Sequence, residues 1–222
     1  MKDYSLNVLE QYDIEVNSTR KVRGAVLCDT DVGALLLTEA AVSDHKLPVL
    51  EMLLTQISGC GYERVDSIFI NKEGELITEA EDGTRYVLKR WFSGRECDVK
   101  REQEVLEAVR NLARLHRMMK LPGEESGEFP GNNLQEEFRR HNRELRKVRT
   151  FIRNRTAKGT FEQVVLEHFE AMYLWAEQAE KKLLSSAYER LTQTSREEGT
   201  IIHGDYNYHN VWMTPKGIAT TN

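Results

Sequence analysis

Residues 201–210 read IIHGDYNYHN and bring a histidine, an aspartate and an asparagine together at short spacing. Enzymes that transfer phosphoryl groups need a carboxylate that orients the attacking hydroxyl group, and oxygen ligands that hold a metal ion on the phosphates. Asp205 and Asn210 lie five residues apart, and a loop of this length can turn both side chains toward one centre. We therefore interpret Asp205 as a candidate catalytic residue and Asn210 as a candidate magnesium ligand.

The neighbours of this pair support the same interpretation but also allow a simpler one. Gly204 permits a tight backbone approach, and Ile201 and Ile202 are expected to anchor the loop in the core. His203 is a further candidate for the catalytic loop, expected to brace its backbone by hydrogen bonding rather than to move protons. The simpler interpretation is a polar turn, since Asp, Asn and Gly are common turn residues. The complete pattern H-G-D-x-x-x-x-N is more specific than an aspartate and asparagine at this spacing alone.

Other polar residues near the loop leave their roles open. Tyr206, Asn207 and Tyr208 could face an acceptor site or pack against the protein, and the sequence does not separate the two. For His116 we favour a hydrogen-bonded core histidine, and for His209 a packed or exposed loop residue.

The composition indicates a globular protein and excludes several classes. The 222 residues, 40% of them hydrophobic and 30% charged, can bury a sizeable core. A net charge of −5 argues against a generally basic nucleic-acid binder. Three widely spaced cysteines without a CxxC pair suit free thiols in a reducing compartment. The sequence has no run of 18 apolar residues and no signal-peptide-like start, so we expect a soluble, cytoplasmic protein.

The elements that must position the loop begin with a mixed α/β region. Apolar runs at residues 21–30 and 33–41 predict a β-hairpin across a turn. Residues 45–58 have leucines at helical spacing, and residues 65–76 and 84–92 predict two further strands. The predicted order is therefore β-β-α-β-β.

From Val99 onward the pattern becomes helical, interrupted by a breaker-rich loop at residues 120–133. The first helix places six residues on one predicted apolar face: Val105, Leu106, Val109, Leu112, Ala113 and His116. Helices are predicted at residues 134–153 and, as one long or two short helices, at 161–191, before short strands return near the catalytic-type loop. A core stripe is predicted for Phe161, Val165, Phe169, Met172, Tyr173 and Ala176.

Residues 138–159 carry nine Lys or Arg residues and one acid. Such a stretch can contact nucleic acid or another anionic partner. We favour the alternative, a solvated helix face, because charged helix faces usually face solvent.

The string HGDYNYHN resembles the catalytic loop of the aminoglycoside phosphotransferase and choline kinase superfamily, which has a protein-kinase-like fold. RYVLKRWFSGREC resembles the strand that runs into the kinase hinge, and LARLH resembles the helix that follows it. Together with NKEGEL and WFSGRECD, these motifs are similar to those of the CotS family, kinase-like spore-coat proteins of spore-forming bacteria. The resemblance extends over nearly the whole chain.

This resemblance implies an α+β, two-lobe fold, with a small antiparallel-sheet N-lobe at residues 1–93 and a mainly helical, truncated C-lobe at 94–222. It implies ATP and Mg²⁺ as cofactors, with the adenine docking at the hinge beside Trp91 and Phe92. Glu51 is the acid expected to pair with a phosphate-binding lysine. The implied partners are a small-molecule acceptor and spore-coat proteins, without nucleic acid or membrane, and the implied location is the spore coat.

The sequence departs from this pattern at two places. The strand at 33–41 has no lysine, and Thr38 stands where one is expected, which leaves Glu51 equally well explained as an exposed acid. Lys89 is an alternative lysine, but an edge or solvent-facing position on the hinge strand is the favoured explanation. No Asp or Glu follows Asp205, so the second metal-binding aspartate is expected to be missing. We expect weak or absent transfer activity, with a degenerate kinase fold as a structural or interaction component of the coat as the alternative.

Overall fold

The computed structural model describes four ranges of the chain, residues 6–22, 24–40, 46–121 and 133–221. It separates into two compact units: unit 1 comprises Met1–Phe129 with Gly199–Asn222, and unit 2 comprises Pro130–Glu198. This division differs from the predicted lobes, 1–93 and 94–222, which remain a prediction. The loop predicted at 120–133 falls mostly outside the described residues, as does Asn222.

Unit 1 is built on an antiparallel six-stranded sheet, preceded by a 3₁₀ helix at Leu6–Gln11. Its strands are β1 (Val16–Val22), β2 (Ala25–Thr30), β3 (Gly33–Glu39), β4 (Ile68–Phe69), β5 (Thr78–Glu79) and β6 (Arg85–Arg90). The strand order is β1-β2-β3-β6-β4, and β5 also pairs with β6. Strand β6 therefore comes last in the sequence of this sheet but lies inside it, between β3 and β4.

The predicted hairpin is confirmed as β2 and β3, closed by the Thr30–Gly33 pair. The run at 21–30 is not one strand, however, because Gly24 has a φ of 73° and separates β1 from β2. This left-handed conformation favours glycine. Strand β1 was not predicted, since its sequence VNSTRKV is almost entirely exposed and has no apolar alternation.

The two faces of the sheet pack against different partners. On one face, buried side chains such as Leu37 and Leu88 contact the 3₁₀ helix through Val8 and Leu9. The other face packs against helix α1 (Lys46–Gly59), which confirms the helix predicted at 45–58. This second face also contains Thr38 and Lys89, because directly paired residues and every second residue along a strand share a face.

Helix α2 (Glu102–Met118) is confirmed, but its predicted apolar face is wrong. Val105 is 38% exposed and Val109 is 59% exposed, whereas Ala108 and Leu115 are buried. The buried face also includes Glu104, which receives two hydrogen bonds from Arg95 (2.8 and 2.5 Å). The side of the helix that faces the core therefore carries Glu104, Ala108 and Leu115, and differs from the side that the apolar spacing predicts.

A second, three-stranded sheet consists of β7 (Arg95–Glu96), β8 (Val211–Thr214) and β9 (Gly217–Thr220), in that order. The strand-like pieces predicted at the end of the sequence are thus confirmed. Beside this sheet, a Cβ atom on Gly94 would lie 2.4 Å from the Met213 carbonyl oxygen. Only glycine permits this approach of the two backbones.

Unit 2 is helical and consists of α3 (Leu134–Asn154), α4 (Thr160–Leu184) and α5 (Tyr188–Glu197). The region predicted as one long or two short helices therefore forms two, of which α4 packs against α3. The predicted core stripe is wrong for Phe161 and Met172, which are exposed, and correct for Phe169, which is 3% exposed. In the described part of the chain, no helix is long and apolar enough to cross a membrane.

The basic residues of α3 pair with acids of α4. Arg139 contacts Glu180 at 3.4 Å, and Arg149 forms an ion pair with Glu170. All four side chains retain some solvent exposure. These pairs fit the interpretation of residues 138–159 as a solvated helix face.

Candidate active site

The loop at 201–210 brings Asp205 and Asn210 into direct contact. The Asn210 side-chain amide donates hydrogen bonds to the Asp205 carbonyl oxygen (2.9 Å) and to its carboxylate Oδ2 (3.1 Å). Asn207 donates to the other carboxylate oxygen, Oδ1, at 2.8 Å. The Asp205 carboxylate is therefore fixed by two side chains of its own loop while the residue remains exposed.

Gly204 makes the turn before Asp205 with a φ of 81°, a left-handed conformation that favours glycine. A Cβ atom there would meet nothing within 4 Å. No other group of the protein approaches this position closely, so the left-handed backbone conformation explains the glycine within the protein. Ile201 packs against the core as predicted, but Ile202 is 71% exposed and does not anchor the loop.

Tyr206 attaches the loop to the rest of unit 1. Its hydroxyl donates to the Ala108 carbonyl oxygen (3.0 Å) and accepts from the Asn111 amide (3.0 Å). Asn111 also donates to Thr220 Oγ1 at 3.1 Å, and this oxygen lies 2.8 Å from the Tyr62 hydroxyl. Burial raises the pKa of Tyr206 to about 12. Tyr206 therefore packs inward and holds the loop on α2 and β9.

Sequence reasoning did not find this network of four polar side chains. Its members are separated by up to 158 residues, so no local pattern connects them. The sequence offered one indication of it: Asn111 is a polar residue within a predicted amphipathic helix, and Tyr206 lies within the catalytic-type loop. By contrast, Tyr208 is 44% exposed, and its ring lies at a tilt of 37° to the ring of His209, which contacts Glu96 at 2.9 Å.

His203 contacts backbone at the end of β9. Its Nε2 lies 3.2 Å from the Thr221 carbonyl oxygen, and because this oxygen only accepts, Nε2 carries the proton. Burial lowers the pKa of His203, so its ring is neutral at pH 7. The backbone N–H of His203 in turn donates to His116 Nε2 at 3.5 Å. This geometry supports the bracing role expected for His203.

The donor atoms in the loop fit a magnesium ion. Because the Asn210 amide nitrogen bonds to Asp205, its oxygen Oδ1 points away and is a suitable hard ligand. Within the four described ranges, no three His, Cys, Asp or Glu side chains cluster as a metal site. Magnesium is commonly held by one or two protein oxygens, water and substrate phosphates. Asn210 would hold it in that way through Oδ1.

The positions expected to hold a lysine–glutamate pair do not form one. Thr38 lies on β3, and its hydroxyl donates to the Glu39 carbonyl oxygen at 3.0 Å. Glu51 lies on α1, where its carboxylate accepts from Thr55 at 2.7 Å. The role of Glu51 in holding a cofactor therefore stays a prediction.

Trp91 and Phe92 follow directly after β6 and are both partly exposed. The Trp91 backbone N–H donates to Ala34 at 2.9 Å. Its ring packs edge-on against Trp212 of β8, with centroids 5.0 Å apart. The segment predicted as a hinge thus contacts the strand that follows the catalytic-type loop.

The expectation that Lys89 lies at an edge or faces solvent is wrong. Strand β6 lies between β3 and β4, so Lys89 pairs with Leu36 on one side and Ile68 on the other. Its side chain is 13% exposed, and its Nζ lies 3.0 Å from the Asp66 carboxylate. Strand order in the sheet differs from strand order in the sequence, which is why the position could not be predicted.

Comparisons with known proteins show the fold. No protein-family model matches the sequence, and no curated protein is significantly similar to it. The solved structure of an aminoglycoside phosphotransferase from Alicyclobacillus acidocaldarius superposes with a TM-score of 0.82 at 14% identity, covering 100% of this chain and 66% of that chain. Spectinomycin phosphotransferase APH(9)-Ia, bound to AMP, has a TM-score of 0.67 at 12% identity, covering 98% of this chain and 67% of that chain.

A third structure, amicoumacin kinase hAmiN in complex with AMP-PNP, Ca²⁺ and Ami, has a TM-score of 0.60 at 13% identity. It covers 99% of this chain and 64% of that chain. The chain thus spans about two thirds of the length of these proteins. It has the α+β, protein-kinase-like fold of the aminoglycoside phosphotransferases.

Proposed function

We propose that this chain is the core of a phosphotransferase that binds ATP with magnesium and transfers a phosphoryl group to a hydroxyl group of a small molecule. The observation that carries the proposal is the contact between Asp205 and Asn210 in an exposed, braced loop. The two side chains needed for orientation of the acceptor and for metal binding are thereby brought to one place.

Asp205 is assigned to orient the acceptor hydroxyl and accept its proton. Its carboxylate is exposed, as access by an acceptor requires, and hydrogen bonds from Asn207 and Asn210 fix its direction. His203 holds the loop against Thr221 and remains neutral. A magnesium ion, when bound, would neutralise charge on the phosphates, and Asn210 is the residue assigned to hold it.

The adenine is assigned to the segment at Trp91 and Phe92, which leaves β6 beside Trp212. Structures of the same fold support a nucleotide ligand: spectinomycin phosphotransferase is bound to AMP in one and to ADP and spectinomycin in another, and amicoumacin kinase is bound to AMP-PNP and Ca²⁺. The ADP-and-spectinomycin complex also supports a small-molecule acceptor. Glu51 belongs to the same proposed cofactor site.

The finer assignment is to the CotS family of spore-coat proteins, with a role in sporulation, location in the spore coat and coat proteins as partners. It rests on the motifs NKEGEL, WFSGRECD, LARLH and HGDYNYHN. Of these, WFSGRECD includes Gly94, which permits close backbone packing, and Arg95, which binds Glu104.

A second candidate function is non-enzymatic: a degenerate kinase fold that serves as a structural or interaction component of the coat. The observation that favours it is Thr38 at the position expected for the phosphate-binding lysine, with Glu51 bonded to Thr55 instead. This candidate predicts a folded protein with no affinity for ATP.

Thermal unfolding with and without ATP and magnesium separates the two candidates. A ligand that binds only the folded state stabilises it by about 2.7 kcal/mol at a hundredfold excess over Kd. We expect the unfolding midpoint to rise only when both ATP and magnesium are present. The rise should disappear in Asn210→Ala and persist in His209→Ala, a control in the same loop whose side chain contacts Glu96 rather than Asp205.

A folded wild-type protein without this rise would contradict the enzymatic proposal and favour the structural candidate. Equal loss of the rise in Asn210→Ala and His209→Ala would show that general disruption of the loop, rather than loss of a metal ligand, is responsible.

A further inference from the structure

Helix α2 has a second apolar side, which the structure leaves largely exposed. Five residues at helical spacing form this side, which we call the α2 stripe: Val105, Leu106, Val109, Leu112 and Ala113. It runs along about 12 Å of the helix, at about 1.5 Å per residue, and Val109 at its centre is 59% exposed. The side that α2 buries in unit 1 is a different one and carries Ala108 and Leu115.

A helix with apolar side chains on two sides resembles the helices of a domain interior, which are covered on both. Single exposed apolar residues are normal on a protein surface, whereas a contiguous exposed apolar stripe is typical of a surface that binds something. The solvent-facing side of α2 is a third one, which carries the exposed Arg110 and Arg117. The α2 stripe is therefore better explained as a contact surface than as a solvated one.

Helix α4 of unit 2 shows the same feature independently. Four large apolar side chains follow one another at intervals of three, eight and three residues, which places them on one side of the helix: Phe161, Val164, Met172 and Trp175. Their exposed fractions lie between 43% and 76%. A different side of α4, with the buried Phe169, packs against α3, where the guanidinium carbon of Arg149 lies 4.8 Å from the centre of the Phe169 ring. We call the exposed side the α4 stripe.

The structures that share this fold indicate what is available to cover such surfaces. One of the solved phosphotransferases covers this chain completely, and this chain spans about two thirds of the length of each of them. About a third of each of those proteins therefore has no counterpart here. The apolar side of a helix is stable when another element of secondary structure buries it, and a segment of that size can supply such elements.

We propose that the α2 stripe is the docking surface for a further segment of the same polypeptide, the counterpart of the third of the phosphotransferase fold that this chain does not span. The segment that docks there is an amphipathic helix, because rows of side chains at helical spacing pack into the grooves of a second helix. Leu106 and Val109 are its central contacts. The α4 stripe is assigned to the same third. This inference does not depend on catalysis, so it applies equally to the enzymatic and the structural candidate.

Thiol labelling of the 222-residue chain and of the protein translated from its complete reading frame tests the inference. Val109→Cys is introduced together with Cys60→Ser, because Cys60 is the exposed native cysteine, while Cys28 and Cys97 are buried. We expect the introduced thiol to react about tenfold or more slowly in the longer protein, since a covered thiol is less reactive. Arg110→Cys, on the polar side of the same helix, is the matched control and should react at equal rates in both proteins.

Thermal unfolding gives a second measurement that does not depend on labelling. Val109→Glu should leave the unfolding midpoint of the 222-residue chain unchanged, because the side chain is exposed there. It should lower the midpoint of the longer protein, because the docked helix would bury an unpaired charge. Arg110→Glu is the control, with the same effect expected in both proteins.

Two outcomes would overturn the proposal. The first is equal labelling of Val109→Cys in the two proteins, since the docked helix would then not cover this position. The second is a reading frame that ends after Asn222. If sedimentation of the 222-residue chain then shows a dimer that Val109→Glu dissociates, the α2 stripe is an interface with a second copy of this chain.

Discussion

Unit 1 and unit 2 differ in how many of their apolar side chains are buried. Unit 1 contains four clusters of buried apolar residues, among them Leu37 and Leu88, which are fully shielded from solvent. In unit 2, only three of the described residues are buried: Asn142, Ile152 and Phe169. Large apolar side chains such as Phe161 and Trp175 are 76% and 68% exposed there. Unit 1 is held by its core, and unit 2 by contacts along helix surfaces.

This difference shows where the candidate site obtains its rigidity. Every contact described for Asp205, Asn210 and His203 is made within unit 1. Tyr206 extends those contacts to α2 and β9. The site therefore depends on the well-packed unit, and changes in that unit should have the larger effects.

The largest effect is expected from Leu88→Ala, at the centre of the sheet. Leu88 is 0% exposed, and truncation of a buried leucine costs about 2–5 kcal/mol because it removes apolar burial and leaves a cavity. Chemical denaturation should show this loss. Leu191→Ala in unit 2, where Leu191 is 67% exposed, should change stability by less than about 0.5 kcal/mol. Equal losses of unfolding free energy in the two variants would contradict the conclusion that unit 1 is held by a buried core and unit 2 is not.

A smaller effect is expected from Asn111→Ala, which removes the amide that joins Tyr206 to Thr220. Leaving buried hydroxyl groups with fewer partners costs about 1–3 kcal/mol. Hydrogen exchange should accelerate at the amides of residues 203–210. Asn154→Ala, at the exposed end of α3, is the matched control and should leave this exchange unchanged.

Replacement of Glu104 should change how the stability of the fold depends on pH under acidic conditions. Hydrogen bonds from Arg95 lower the pKa of Glu104 from 4.5 to about 2. Because the folded-state pKa lies below the unfolded value, this pair stabilises the fold above pH about 4.5, and the contribution is lost as the pH falls toward about 2. The free energy of unfolding, measured by chemical denaturation at several pH values in this range, should change less with pH for Glu104→Gln than for the wild type. Glu102→Gln, at an exposed position in the same helical turn, should behave like the wild type.

The smallest effect is expected from Glu170→Ala in unit 2. Glu170 forms an ion pair with Arg149, but its side chain is 70% exposed. Exposed ion pairs contribute about 0–1 kcal/mol and are screened by salt. Denaturation at low and high salt should therefore show a slight loss that salt removes. A loss comparable with that of Leu88→Ala would show that unit 2 depends on charge pairs more than its exposure indicates.

The sequence predicted the parts of the fold that depend on local patterns. The hairpin of β2 and β3, helix α1 and the short strands β8 and β9 all follow from apolar runs and turn residues. The contact between Asp205 and Asn210 follows from their spacing in one loop. Each of these features depends on residues near one another in the chain.

Features that depend on distant residues were missed or predicted wrongly. Lys89 is buried because β3 and β4 flank its strand, and no local pattern contains that information. Val109 is exposed because the buried side of α2 is set by Glu104 and its partner Arg95. At both positions, contacts with residues outside the local segment decide whether the side chain is buried.

The contact between Tyr62 and Thr220 has a consequence for synthesis of the protein. The two residues are 158 positions apart, and ribosomes add about 5–20 residues each second. Tyr62 is therefore added to the chain roughly 8 to 32 seconds before its partner exists. Strands β1–β6 can pair during this interval, whereas the network around Thr220 must wait. The nascent sheet can form early, and the network that holds the chemistry-bearing loop can form only after Thr220 has been translated.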